Sequence, residues 1–209
     1  IMSNKISKLT ILCLLLLSSC ATTTMVDRTV KFNKNKVLST ISAVDSTFNE
    51  LESLLYVDIK NQNMYLLEKG LILKAFRVSS SYYGTGSKVN SLKTPLGKHE
   101  VYKKIGKDLP INAILKGRVW NGAIANVITD DIDTDFDHVT SRILWLDGLE
   151  IGKNKGPGVD SRSRYIYIHG TAEEGLIGRP ASDGCIRMYN TDVIDLFDLV
   201  NEKVQVWIY

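Results

Sequence analysis

Apolar residues recur along this chain at two periods, and the change from one to the other falls near residue 56. Leu38, Ile41, Val44, Phe48, Leu51 and Leu55 step by threes and fours. That spacing marks one face of a helix over 38–55, capped near Ser39 or Thr40. From Tyr56 the step shortens to two. "YVDIK" and "MYLLE" flank Asn61-Gln62-Asn63, and Lys69-Gly70 turns the chain into "LILKAFRVS", which predicts an antiparallel meander. A Gly/Ser-rich loop, "SSSYYGTGSKVNS", leads to a proline turn, "TPLG", and the strand "KHEVYKK". "RILWL" and "YIYIH" are two more short strands, and the acidic segment 130–138 ahead of them reads as a surface excursion. Asn190 can cap a last helix, "TDVIDLFDLV", with Val193, Leu196, Phe197 and Val200 inward; "KVQVWIY" closes the chain as a strand. Many short strands, few helices and no βαβ alternation predict a β-rich α+β fold, a barrel or sandwich with peripheral helices, over 56–209.

The first residues have a different grammar. Lys5 and Lys8 precede a strongly apolar run from Leu9 to Leu17, too short to span a membrane, and "LSSC" follows. This is the order of a secretory signal over 1–19, and the terminal Cys20 resembles the lipobox of a bacterial lipoprotein. That resemblance implies cleavage before Cys20, lipidation of its sulfur, and a periplasmic domain held at the outer membrane. Residues 20–37 are polar and patternless, as a tether would be.

The signal changes what the cysteines mean. The chain has three: Cys13 leaves with the signal, Cys20 is blocked by lipid, and Cys185 remains as the one free thiol. In an exported protein an unpaired thiol is either buried or reactive. One thiol and the histidines His99, His138 and His169 lack the clustered ligands of a structural metal site, so no metal or cofactor is expected. Two units of the net charge of +3 belong to Lys5 and Lys8, and no basic stripe interleaved with aromatics points to nucleic acid.

The chemistry concentrates in "YIYIHGTAEEGLIGRPASDGCIRMYN". Alternation puts Tyr165, Tyr167 and His169 on one face, with His169 ending its strand before Gly170. Gly184 permits close backbone approach, and the Gly184 and Cys185 amides are candidates to hold an oxyanion. If the chain is extended after Cys185, Arg187 projects to the same side as the thiol, suited to grip a substrate carboxylate. Thiol, base, backbone donors and a fixed cation are the parts of an acyl-transfer site. A hydrogen-bonded His169 would lower the thiol below its free value of about 8.5. Ser182 would brace the loop or serve as an ordinary turn residue.

"IHGT…ASDGCIRM" resembles the signature of the bacterial L,D-transpeptidases (YkuD-type catalytic domain). "VDIKNQNMYLLEKGLILKAFRVSSSYYG" is similar to that family's opening hairpin, and "NSLKTPLGKHEVYK" to its Thr-Pro-x-Gly turn. The resemblance implies Cys185 as nucleophile, His169 as general base and acid, and Gly170, Ser182 and Arg187 around the substrate. It implies a peptidoglycan tetrapeptide as donor, cut between its diamino acid and D-Ala, with a second stem or a lipoprotein as acceptor. It also implies acylation by carbapenems. Trimming of the tetrapeptide as an L,D-carboxypeptidase uses the same acyl-enzyme and stays open, as does an inactive wall-binding lipoprotein. One departure stands out: the family most often has histidine before the glycine, where this chain has Asp183.

Overall fold

The computed structural model describes residues 28–209. The signal, Cys20 and the first part of the tether lie outside the described residues. Helix α1 (Lys34–Val44) starts earlier than its apolar period suggests, because Asn33 accepts a hydrogen bond from the Lys36 amide at 3.0 Å and caps it. It also stops earlier. Asp45 leaves helical angles, accepts from the Thr47 amide, and opens a 3-10 turn over Ser46–Glu50. Leu55, counted in the helix by periodicity, belongs to β1 (Ser53–Asp58). The second half of the tether is docked: Arg28 bonds Thr191 and Glu174, Val30 is buried, and Phe32 packs edge-on against Tyr65.

The meander forms as its pattern predicts, with β2 (Asn63–Glu68) antiparallel to β1 and to β3 (Leu71–Arg77). The other strands are β4 (Gly97–Ile105), β5 (Ala113–Lys116), β6 (Val119–Ile124), β7 (Val139–Gly148), β8 (Tyr167–Thr171), β9 (Ile186–Met188) and β10 (Gln205–Ile208). The main path runs β3-β2-β1-β10-β4-β7-β5-β6, with β8 on β7 and β9 on β8. The strands bend into a sandwich-like arrangement rather than a closed barrel. The hairpin β5-β6 has no counterpart in the sequence expectation.

Two apolar clusters lie on opposite sides of the meander. Leu55, Val57, Met64 and Leu66 face the main core, shared with Ile168, Ile186, Met188 and the inner side of α2 (Asn190–Leu199). Leu54, Tyr56, Tyr65 and Leu67 face Val37 and Ile41 of α1, with Trp207 beside them. Ile41 is fully buried there, so Ile41→Ala costs about 2–5 kcal/mol and unseats the helix. Asn190 is the first residue of α2 and not its cap. Its side chain donates to the Thr171 carbonyl and accepts from the Thr140 and Ser141 hydroxyls, tying the helix to β7 and β8.

Candidate active site

β8 and β9 run parallel, with Ile168 opposite Ile186 and His169 opposite Arg187. Ile168, Ile186 and Met188 point into the main core. Tyr167 and Cys185 point the other way, into a cluster with Leu115, Ile143 and Trp145. The His169 ring stands edge-on to Tyr167 at 6.5 Å, so imidazole and thiol share that face. Cys185 stands one step before Ile186 and two before Arg187, the residue opposite His169, and so lies diagonally across the ladder from His169. Tyr165 is outside this alternation: its φ is +56° and the strand starts two residues later.

His169 sits mid-strand, not at its end, and is 1% exposed. Its Nδ1 lies 2.7 Å from the Gly170 carbonyl, an acceptor, so Nδ1 carries the proton and Nε2 is left as a lone-pair base. Gly170 is packed rather than open to substrate. A Cβ there would lie 2.6 Å from Asn190 Oδ1 and 2.8 Å from the Thr140 carbonyl.

The cysteine loop is held from behind by the serine segment. Ser79 pairs with Arg187, Ser81 with Ser182, and Thr94 Oγ1 donates to the Gly184 carbonyl at 3.1 Å. The Gly/Ser-rich loop thus works as a cradle, with Ser79, Ser80 and Ser81 all buried. Gly184 takes φ +120°, and a Cβ would press on the Lys93 and Leu92 carbonyls at 3.3 and 3.4 Å. Ser182 is buried, donates to the Cys185 carbonyl at 2.6 Å and accepts from the Gly184 amide at 3.2 Å. It braces the loop and is closed to substrate. The same bond occupies the Gly184 amide, expected as an oxyanion donor; among the described residues no turn, loop or side-chain bond takes the Cys185 amide. Asp183 is exposed.

The thiol is not a resting thiolate. Cys185 keeps some surface open, yet burial pushes its thiol up to about 12, against the Tyr167 amide that donates to Sγ at 3.3 Å and the cations Arg187 and Arg164. Burial also pushes His169 down, opposed by the negative charge of Asp137. The resting pair is therefore neutral thiol and neutral imidazole, which corrects the expectation of a thiol lowered by its histidine.

Arg187 also departs from expectation. It is 2% exposed, bound to Glu173 at 2.8 Å and to Asp137 at 2.7 Å, so it is enclosed and not an open carboxylate grip. Glu173 in turn accepts from the amide and hydroxyl of Thr134 at 2.7 and 2.6 Å. The acidic excursion is thus clasped onto the strand pair that carries the site. Asp137, Glu173 and Arg164 were missed because only tertiary contact brings them here. Arg164 reaches the Lys93 carbonyl at 2.7 Å. His138 stacks on Phe136, and His99 is buried between the Gly97 carbonyl and Ser161. Neither of these histidines is among the partners of the thiol.

The Cys185 thiol, one residue ahead of β9, and the His169 imidazole face the same side of the strand pair. Residues 52–208 match the L,D-transpeptidase catalytic domain (YkuD), and the chain belongs to that family. It is 35% identical over 65 residues to the YkuD protein of Bacillus subtilis (strain 168), covering 28% of this chain and 40% of that one. An L,D-transpeptidase from Mycobacterium smegmatis aligns with 76% of this chain and 58% of its own, at 14% identity and a TM-score of 0.48. A mutant L,D-transpeptidase of Enterococcus faecium aligns with 76% and 50%, at 18% identity and a TM-score of 0.44. The chain therefore spans between two fifths and three fifths of these relatives' lengths.

Proposed function

We propose that the domain is a peptidoglycan L,D-transpeptidase in which Cys185 is the nucleophile and His169 the general base and acid. The observation that supports this most is the tautomer of His169: Nδ1 is committed to the Gly170 carbonyl, so Nε2 faces the work of accepting a proton. As Cys185 Sγ attacks the carbonyl carbon of the diamino acid–D-Ala bond, its proton passes to Nε2. The carbon–sulfur bond forms, the Cys185 amide stabilises the oxyanion, and loss of such a donor typically costs about 3 kcal/mol. The imidazolium then protonates the departing D-Ala nitrogen as the carbon–nitrogen bond breaks, leaving a thioester. An acceptor amine attacks the thioester, gives its proton to His169, and Sγ leaves to recover the thiol.

Neutral resting groups suit this cycle, because a neutral imidazole is the form able to take the proton and the thiolate arises only with substrate in place. Ser182, Gly170 and Arg187 shape the loop and strands. Upstream, the signal, lipidation at Cys20 and an outer-membrane periplasmic location remain part of the same reading, as does acylation by carbapenems. A wall-attached lipoprotein is an alternative acceptor.

The test incubates the domain with purified disaccharide-tetrapeptide beside Cys185→Ala and weighs the products. A cross-linked dimer with released D-Ala, made only by the wild type, is expected. Tripeptide alone would make the protein an L,D-carboxypeptidase with the same nucleophile. Unchanged tetrapeptide, together with failure of a carbapenem to add its mass, would overturn the enzyme reading.

A further inference from the structure

With Arg187 enclosed, another cation is free on the thiol's face. Arg118 sits in the two-residue turn of β5-β6, where Lys116 pairs with Val119 and Gly117 and Arg118 have φ of +57° and +70°. Such a turn requires positive φ at both central positions and favours glycine or asparagine there. The chain places an arginine there instead.

The side chain is fixed in place. Nη1 donates to Tyr167 Oη at 3.1 Å, and the guanidinium lies 4.8 Å from the Trp145 ring centre and 4.9 Å from that of Tyr165. Those tyrosines are the residues whose backbones touch the nucleophile: the Tyr167 amide donates to Sγ, and Sγ lies 3.5 Å from the Tyr165 carbonyl. Arg118 is only partly buried, and no carboxylate among the described residues pairs with it. Arg164, the other nearby cation, is taken up by backbone carbonyls.

We infer that Arg118 receives a carboxylate of the acyl donor, the one on the leaving amino acid, and so determines specificity for a free C-terminus. A guanidinium pre-oriented between two rings, with no acid paired to it among the described residues, offers the planar fork a carboxylate accepts. The carboxylate of the leaving residue is the one nearest the scissile bond. This inference rests on the acyl-transfer reading above.

Arg118→Asn keeps the turn, since asparagine accepts positive φ. Wild type and variant are compared on a tetrapeptide ending in D-alanine and on its D-alaninamide analogue. The wild type should favour the acid by about 10- to 100-fold, carried by KM, as a charge-assisted hydrogen bond supplies. In Arg118→Asn the acid should fall to the level of the amide. Equal loss on both peptides, or a wild type indifferent to amidation, overturns the assignment. Alkylation of Cys185 by iodoacetate and iodoacetamide reads the same cation without any peptide chemistry. The ratio of the two rates should fall severalfold in the variant. A falling ratio with no peptide turnover would sink the transferase reading and keep the anion site; an unchanged ratio sinks the anion site even in an active enzyme.

Discussion

Glu173→Ala tests how the acidic excursion is fastened to the site. Glu173 is 1% exposed and accepts three hydrogen bonds, two from Thr134 and one from Arg187, itself 2% exposed. Removing the carboxylate leaves a buried guanidinium with Asp137 as its remaining acid among the described residues and with Nε already unpartnered there. Breaking one side of a buried pair costs about 3–5 kcal/mol, because the surviving charge stays desolvated. At about 2–4 °C per kcal/mol for a domain of this size, the melting temperature should drop by about 6–20 °C. Urea unfolding followed by circular dichroism should show a lower midpoint at unchanged slope. The double variant Glu173→Leu with Arg187→Met replaces the pair by apolar groups and should lose less than half as much. A Glu173→Ala protein within about 1 kcal/mol of wild type would refute the reasoning.

Three further outcomes follow from the same structure. With its thiol pushed up to about 12, Cys185 should react with iodoacetamide at a rate still rising beyond pH 9.5, and a plateau near the ordinary thiol value of about 8.5 would contradict its burial. Burial also pushes His99 down to about 4 from an unfolded value of about 6.5. The neutral form is the one the fold holds, so its contribution is complete above pH 6.5 and is lost as pH falls toward 4. That loss amounts to about 3 kcal/mol. His169 shifts in the same direction, so His99→Gln should flatten only part of that acid limb in pH-dependent unfolding. Gly184→Ala, forced to hold φ +120° against the Lys93 and Leu92 carbonyls, should cost about 1–3 kcal/mol and lower turnover by displacing Cys185. Wild-type turnover in that variant would show the loop has room to adjust.

The meander was legible because Val57, Met64, Leu66 and Phe76 alternate with residues on the far face. The helix boundaries were not. Asn33 and Asp45 end α1 through their own side chains, whereas the apolar stripe runs past both limits into the 3-10 turn and β1. His169 and Cys185 were found by type and spacing, and the register of β8 with β9 supplies the shared face. Their protonation was misread because desolvation depends on what is packed around them, and no local pattern encodes that. Arg187 shows the same limit. Two acids at 137 and 173 enclose it, one from a segment that looked like loose surface. Arg118 had one visible hint, a Lys-Gly-Arg-Val turn between short apolar runs, with nothing to place it beside a thiol fifty residues and more further on.

The central claim is a covalent intermediate on Cys185, formed with His169 as base. Rapid acid quenching of the enzyme with excess tetrapeptide, followed by intact-protein mass and peptide mapping, addresses it directly. The account predicts the mass of an acyl tripeptide on Cys185, lost on treatment with neutral hydroxylamine and absent in His169→Ala at the same quench time. Release of D-Ala with no mass gained by the protein, or an adduct on any other residue, would contradict it.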